Sequence, residues 1–358
     1  MTTEYKEFTE YTLELVNSIV SLRFGDRAKN AMRMLLQNPI LNEIKSTGCV
    51  ALEDEEPVCF KAAIPRRMYL GQSQFLCANG AYFCKADKKC PLSVVFEVQE
   101  RTNWNQCNCR LSFTNTCIYG TMKINTFLGA RLGPQSWAEM RYAIIHPLTF
   151  LFLLLRRKLF HLPQLHSYKI NPLTNKAKTY FKKGNICIQR LQKIDERLSR
   201  FWGRYLSSNK GLVSSRDAET LEWMFGKDMD SDKCVMLVEF NQEDIEGYIV
   251  IRVMHGSERR WQILDMIALE NSPERIGILL DGTKSFLRKD TDAITLESTG
   301  FPDFIQPVLK KHLPHFSKRS HNYCNWNTDD GEIIHAIETE GNTENSWFFG
   351  PFDGDYSF

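Results

Sequence analysis

The chain has 358 residues, more than one hydrophobic core usually serves, so two domains are expected. Apolar residues make up 43% and charged residues 25%, which excludes a mostly disordered chain, a collagen-like fibre and a multi-span membrane protein. The 45 basic residues nearly balance the 43 acidic ones, for a net charge of +2, so there is no global basic field to hold a polyanion and no nucleic-acid partner is expected.

The predicted elements of the first half mix helix and strand. Thr12 to Leu22 is amphipathic and fits either state, and Asp26 to Leu36 reads as a helix with Met32, Leu35 and Leu36 on one face. Asn38-Pro39 ends it. Cys49 to Leu52 and Val58 to Ile64 pair as a hairpin across the acidic turn Glu53 to Pro57. Arg66 to Phe83 alternates as a third strand, Leu92 to Arg101 is a helix, and Arg110 to Phe113 is a short strand. Thr116 to Leu128 is a helix closed by Gly129, and Trp137 to Ile144 returns as a strand.

The most apolar run, Tyr142 to Leu155, contains His146 and Pro147 and precedes Arg156-Arg157-Lys158. It is too short to span a bilayer. It reads as a buried or subunit-packing helix. The alternative is an interfacial helix, with residues 142–158 making peripheral contact with an anionic membrane.

Residues 161–184 hold Pro163, Asn171, Pro172, Asn175 and several lysines with little periodicity, which is linker composition. The expected domains are therefore 1–160 and 185–358. The second half repeats the order of the first: strand Ile186 to Arg190, helix Lys193 to Leu206, helix Asp217 to Phe225, strands Cys234 to Phe240, Tyr248 to Met254 and Trp261 to Leu269. Helix Pro273 to Arg288, strand Ala293 to Glu297 and helix Phe304 to His312 follow, and Arg319 to Trp326 and Ile333 to Ile337 look like closing strands.

Eleven cysteines, an odd number scattered through apolar stretches, do not make a disulfide framework. The tight pair Cys107-Asn108-Cys109 has no second pair or histidine pair at zinc spacing, so no metal site is expected. Buried thiols of a reducing compartment, and a polar N-terminus without a signal peptide, point to the cytoplasm.

The element order, taken twice, resembles the GNAT (N-acetyltransferase) fold. Gly48 to Arg67 resembles the hairpin of that superfamily, and Leu128 to Trp137 resembles the glycine-containing end of its fourth helix with the strand after it. Asp217 to Phe225 and Trp347 to Tyr356 resemble the second domain of tandem GNAT proteins of bacterial polysaccharide and acyl-transfer settings. The resemblance implies an α/β (α+β) chain of two GNAT-like domains, each a mixed, mostly antiparallel twisted sheet flanked by helices. It implies transfer from acetyl-CoA or another acyl-CoA, a small-molecule acyl donor, to an amine acceptor on a sugar nucleotide or other small metabolite. Non-catalytic GNAT pairs are the alternative. A tRNA-dependent aminoacyl transferase is a third class, disfavoured by the near-neutral charge.

Carried over by position, the pyrophosphate loop falls on Lys88-Lys89-Cys90-Pro91-Leu92-Ser93, so Lys88, Lys89, Leu92 and Ser93 are the implied coenzyme-binding residues. The family's two glycines are missing there, and Pro91 removes an N–H donor. The second-half counterpart keeps Arg275 and Gly277, but Glu274 would repel phosphate. The family's catalytic tyrosine lies four residues before the glycine closing the fourth helix, which here is Asn125; Tyr119 is the nearest tyrosine and the implied acid. Asp265, a charge inside an apolar strand, is either a base or a structural partner of Arg252, Arg259 or Arg260.

Overall fold

The computed structural model describes residues 3–86, 90–133, 139–160, 170, 178–254, 259–319, 323–338 and 347–353. The first half runs β1 (Thr3–Glu7), α1 (Leu13–Phe24), α2 (Arg27–Leu36), β2 (Gly48–Glu53), β3 (Glu56–Leu70), β4 (Ser73–Lys85), α3 (Leu92–Arg101), β5 (Leu111–Cys117), α4 (Tyr119–Phe127), β6 (Arg131–Leu132), β7 (Glu139–Ile144) and α5 (Pro147–Phe160). The second half begins with β8 (Thr179–Lys183), β9 (Ile186–Arg190), α6 (Glu196–Ser208), β10 (Leu212–Ser214), α7 (Ala218–Leu221) and α8 (Lys227–Asp230). It continues with β11 (Cys234–Asn241), β12 (Asp244–Val253), β13 (Arg260–Ala268), α9 (Pro273–Asp290), β14 (Thr295–Thr299), α10 (Gln306–His312), β15 (His315–Arg319), β16 (Tyr323–Asn327) and α11 (Gly331–Glu338).

Period-two patterning builds the first sheet's two faces. Val50, Leu52, Phe60 and Ile64 point to the side covered by α1 and α2, where they meet Val16, Ile19 and Met32. The intervening Cys49, Ala51 and Cys59 point to the opposite side and meet Val94, Val95 and Val98 of α3. The second sheet is buried more completely. Its central strands β11 to β13 read as near-continuous apolar runs, and α9 and α6 cover them with Leu279, Phe286, Leu198 and Phe201. Asp195 caps α6 by accepting from Arg197 N at 2.9 Å.

Each sheet has eight strands. The first is ordered β1-β2-β3-β4-β5-β16-β6, with β10 added to β3, and the second is ordered β15-β7-β14-β13-β12-β11-β9-β8. This is the expected α/β class of two GNAT-like units. The halves, however, exchange strands. β7 of the first half pairs antiparallel with β14 of the second, Leu296 opposite Ala143. β16 of the second half pairs with β5 of the first, Trp326 opposite Phe113. The break foreseen at 161–184 therefore separates the chain without separating the sheets, and its last part, Thr179–Lys183, is strand β8.

Three local expectations need correction. Arg66 to Phe83 is the end of β3 and most of β4, folded back at Gly71, whose φ of 57° is the left-handed conformation glycine adopts freely. Ile333 to Ile337 lies in helix α11, with Ile333, Ala336 and Ile337 buried at helical spacing. Arg319 to Trp326 spans parts of β15 and β16, which belong to different sheets.

Candidate functional site

β4 and β5 are parallel neighbours, and their ladder covers Cys77–Asn79 against Leu111–Phe113. Beyond Asn79 both strands continue without pairing to each other, to Lys85 and Cys117, and a wedge opens between them. A bulge lies alongside: the β3–β4 register shifts between Phe60 and Ala62, so that Lys61 has no direct partner on β4, and Tyr82 takes a φ of 53°. The wedge is a cavity of about 360 Å³ bordered by Arg23 and Phe24 of α1, Lys61 of β3, Gly80 to Lys85 of β4, Gln99 of α3 and Thr114, Thr121 and Asn125 on the β5–α4 side. A smaller chamber of about 30 Å³ shares Lys61, Gly80, Gln99, Thr114 and Asn125 and adds Asn325 and Trp326 of β16. The exchanged strand thus contributes to the site.

The lining mixes apolar side chains such as Phe24, Phe83 and Ile118 with polar ones, and its charges are positive. Lys61, Arg23 and Lys85 border the main cavity, and no carboxylate does among the described residues. Burial pulls the Lys61 amine down to about 8, because the charged form is poorly solvated and no carboxylate stands by to stabilise it. Gly80 leaves the space the lysine needs: a Cβ there would lie 2.7 Å from Lys61 Cε and 2.5 Å from Thr114 Oγ1. Both amide atoms of Gln99 and both of Asn325 are buried without a hydrogen-bond partner among the described residues. Buried amides are normally satisfied, so these four atoms leave unused hydrogen-bonding capacity beside the two chambers.

Of the first-half positions singled out from the sequence, only Asn125 borders this cavity among the described residues. Lys88 and Lys89 lie outside the described residues. Leu92 and Ser93 form the exposed first turn of α3, and Pro91 stands at its N-cap, so this helix start presents N–H groups without intrahelical partners. Tyr119 begins α4, exposed, with Lys123 Nζ 4.5 Å above its ring, and it does not border the cavity. Asn125, at the family's tyrosine position, does border it and donates to Cys117 Sγ at 3.3 Å.

Asp265 is in the other unit, and the structure does not bring it to Tyr119. β13 and β14 run parallel only over Arg260–Gln262 and Thr295–Glu297, so a second wedge begins there. It is occupied by protein: Pro351–Asp353 pack against β13, and Asp353 meets Arg216. Arg216 donates to Asp265 at 3.0 Å, Tyr248 Oη donates to the same carboxylate at 2.6 Å, and Phe348 and Phe352 lie against the guanidinium. Asp265 and Arg216 are fully buried. Desolvation pushes the Asp265 carboxyl up, opposed by Arg216. Asp265 is thus a structural partner, and its partner is Arg216 rather than Arg252, Arg259 or Arg260. Arg275 is occupied too, binding Glu239 and Glu246 at 2.6 Å each.

The cysteines stay structural. All eleven are free, and burial pushes Cys84, Cys107 and Cys109 up to about 12, far from thiolate chemistry. No cluster of three metal-ligating side chains occurs among the described residues.

Lys61 and Gln99 escaped the sequence reading. The signal for Lys61 was a lone cation in the run Cys59-Phe60-Lys61-Ala62-Ala63-Ile64. Gln99 looks like any polar residue of an amphipathic helix, and nothing in the sequence marks it.

No family model and no curated protein sequence matches the chain. Solved structures do match its fold. A GCN5-related N-acetyltransferase from Kribbella flavida superposes with a TM-score of 0.58 at 13% identity, covering 94% of this chain and 73% of its own. One from Anabaena variabilis gives 0.56 at 11% identity, with 94% and 75% covered. The N-myristoyltransferase of Saccharomyces cerevisiae, solved with bound myristoyl-CoA, gives 0.53 at 12% identity, with 91% and 78% covered. At these identities the likeness establishes the fold, and the neighbours sharing it are N-acyltransferases.

Proposed function

We propose that the protein transfers an acyl group from acyl-coenzyme A to the amine of a small metabolite or sugar nucleotide, with the thioester seated where β4 and β5 part. The observation that carries this reading is the asymmetry of the two wedges. The first is open and carries three cations and no carboxylate among the described residues, whereas Pro351–Asp353 pack against β13 beside the second and Asp353 pairs with Arg216. The fold it shares with acyl-CoA-binding neighbours supports the choice of donor.

In this reading the α3 N-terminus, through the backbone N–H groups of Leu92 and Ser93, faces the pyrophosphate, and Lys88 and Lys89, just before it in the sequence, supply positive charge. Gln99 and Asn325 offer their orphaned amides to the polar pantetheine chain. The acceptor nitrogen attacks the thioester carbonyl, a C–N bond forms, the C–S bond breaks, and coenzyme A leaves as thiolate. Lys61, titrating near 8, takes the proton the nitrogen loses and can return it to the thiolate. The free thiols fit the reducing cytoplasm anticipated from the sequence.

Thermal stabilisation by acetyl-CoA and by myristoyl-CoA tests the donor. Saturation at a hundredfold above Kd adds about 2.7 kcal/mol of stability. No shift with either would overturn the reading. Stabilisation without release of free coenzyme A across a panel of amines would favour the non-catalytic alternative, for which the missing loop glycines are the specific support.

A further inference from the structure

Helix α5 covers a cavity of about 240 Å³ with Phe150, Leu153 and Leu154, against Tyr142, Ile294 and the Arg260–Glu297 pair of the second sheet. Its other side is the unusual one. Leu148, Leu151, Phe152 and Leu155 are 84%, 53%, 62% and 46% exposed. Their spacing, i, i+3, i+4, i+7, places them on one helical face. Four large apolar side chains on one outward stripe form a contiguous exposed patch of the kind that marks an interaction site.

The sequence flanking this helix is equally one-sided in charge, although Arg141, Lys178, Lys183 and Arg190 meet carboxylates from outside the stretch. Between residues 140 and 194 the sequence has eleven Lys and Arg and no Asp or Glu. The whole chain nets +2, so everything outside this stretch nets −9. Arg156-Arg157-Lys158 stand at the end of the apolar stripe.

We propose that α5 docks the protein on an anionic lipid bilayer, with the apolar stripe in the acyl boundary and the flanking cations among the headgroups. An apolar stripe bordered by cations is the pattern of a helix lying in an interface. The charge argues against the two rival occupants. A second copy would bring two cationic stretches together, and a nucleic acid offers nothing to the leucines. The contact is peripheral, because no helix among the described residues is long and apolar enough to cross a membrane.

Vesicle flotation tests this without any acyl-CoA. Two vesicles are used, phosphatidylcholine alone and an equal mixture of phosphatidylcholine and phosphatidylglycerol. The full chain floats with the mixed vesicles, at least tenfold less with the neutral ones, and is released by high salt. A variant carrying Leu148→Ser, Leu151→Ser, Phe152→Ser and Leu155→Ser keeps its melting temperature, because the replaced side chains face outward, and no longer floats. Failure of the native chain to float with mixed vesicles overturns the proposal. So does a concentration-dependent dimer, without flotation, that the same four substitutions dissolve; that result assigns the stripe to a second copy.

Discussion

Lys61 and Asp265 carry the same signature in the sequence, one charge inside an apolar strand, and the structure gives them opposite fates. Asp265 is neutralised by Arg216, 49 residues earlier in the chain, and by a hydroxyl from Tyr248. That closes the group off and makes it part of the packing. Lys61 has no carboxylate beside it in the cavity lining among the described residues and faces open space. Which fate applies depends on a distant partner, and a single strand's pattern does not show one. The consequence of an unpaired buried amine is measurable. Its folded value near 8 lies below the ordinary 10.5, so the folded chain holds this proton less tightly than the unfolded chain. Below pH 8 both states are protonated and the penalty is complete. Between 8 and 10.5 it fades, and above 10.5 it is gone. Lys61→Met therefore gains roughly 3 kcal/mol of stability at pH 7, a gain that disappears toward high pH. Urea unfolding at both ends of that window checks it, and an unchanged gain at high pH would assign the effect to packing. The same variant should lose acyl transfer, because the proton acceptor is gone.

At the scale of elements, periodicity located most helices and strands but did not say where the ladder stops. Leu92 to Arg101 was legible to the residue because Val94, Val95 and Val98 repeat at helical spacing and Pro91 fixes the start. The turn at Gly71 was not, because apolar residues alternate on both sides of it and glycine's left-handed φ leaves no pattern of its own. Ile333 to Ile337 is too short for period to separate helix from strand. The wedge is the most consequential feature, and no residue pattern along β4 or β5 marks where it opens. Its width depends on what stands between the strands. Gly80 is the controlling residue, since any Cβ there presses on Thr114 and on the Lys61 chain. Gly80→Val should fill the wedge with branched carbons while the ladder at Cys77–Asn79 holds. The expected result is at least a tenfold weaker response to acyl-CoA in the melting assay, with the unliganded melting temperature lowered by only a few degrees. A variant that responds as strongly as the native chain would show that the thioester is seated elsewhere.

The whole molecule departs most from its linear reading, because each half completes the other. The order of elements in 1–160 and 185–358 repeats, and from that order alone the halves look self-contained. Pairing is a long-range property, and β7 and β16 each carry apolar alternation that suits either sheet. In the structure β7 sits between β14 and β15, so removing it strips two ladders from the second sheet. β16 joins β5 to β6 and brings Trp326 into a core that also holds Met68, Leu111 and Trp347. Residues 347–353 strengthen the tie: Phe348 N donates to Leu212 at 2.7 Å, Arg66 donates to Phe352 O at 3.1 Å, and Trp347 packs on Phe113 at 5.3 Å. A sheet deprived of an inner strand exposes unpaired backbone and apolar surface, which folded domains do not tolerate well. Cutting the covalent link is different, because it removes no named strand of either sheet. Trypsin acting on the Pro- and Lys-rich stretch 161–177 should give two fragments that stay together in gel filtration and part only in denaturant. The halves expressed separately should be insoluble or lack cooperative unfolding, and should recover both sheets when refolded as a mixture. Fragments that separate under native conditions, each with a sharp melting transition of its own, would refute this account of the exchange and restore two independent domains.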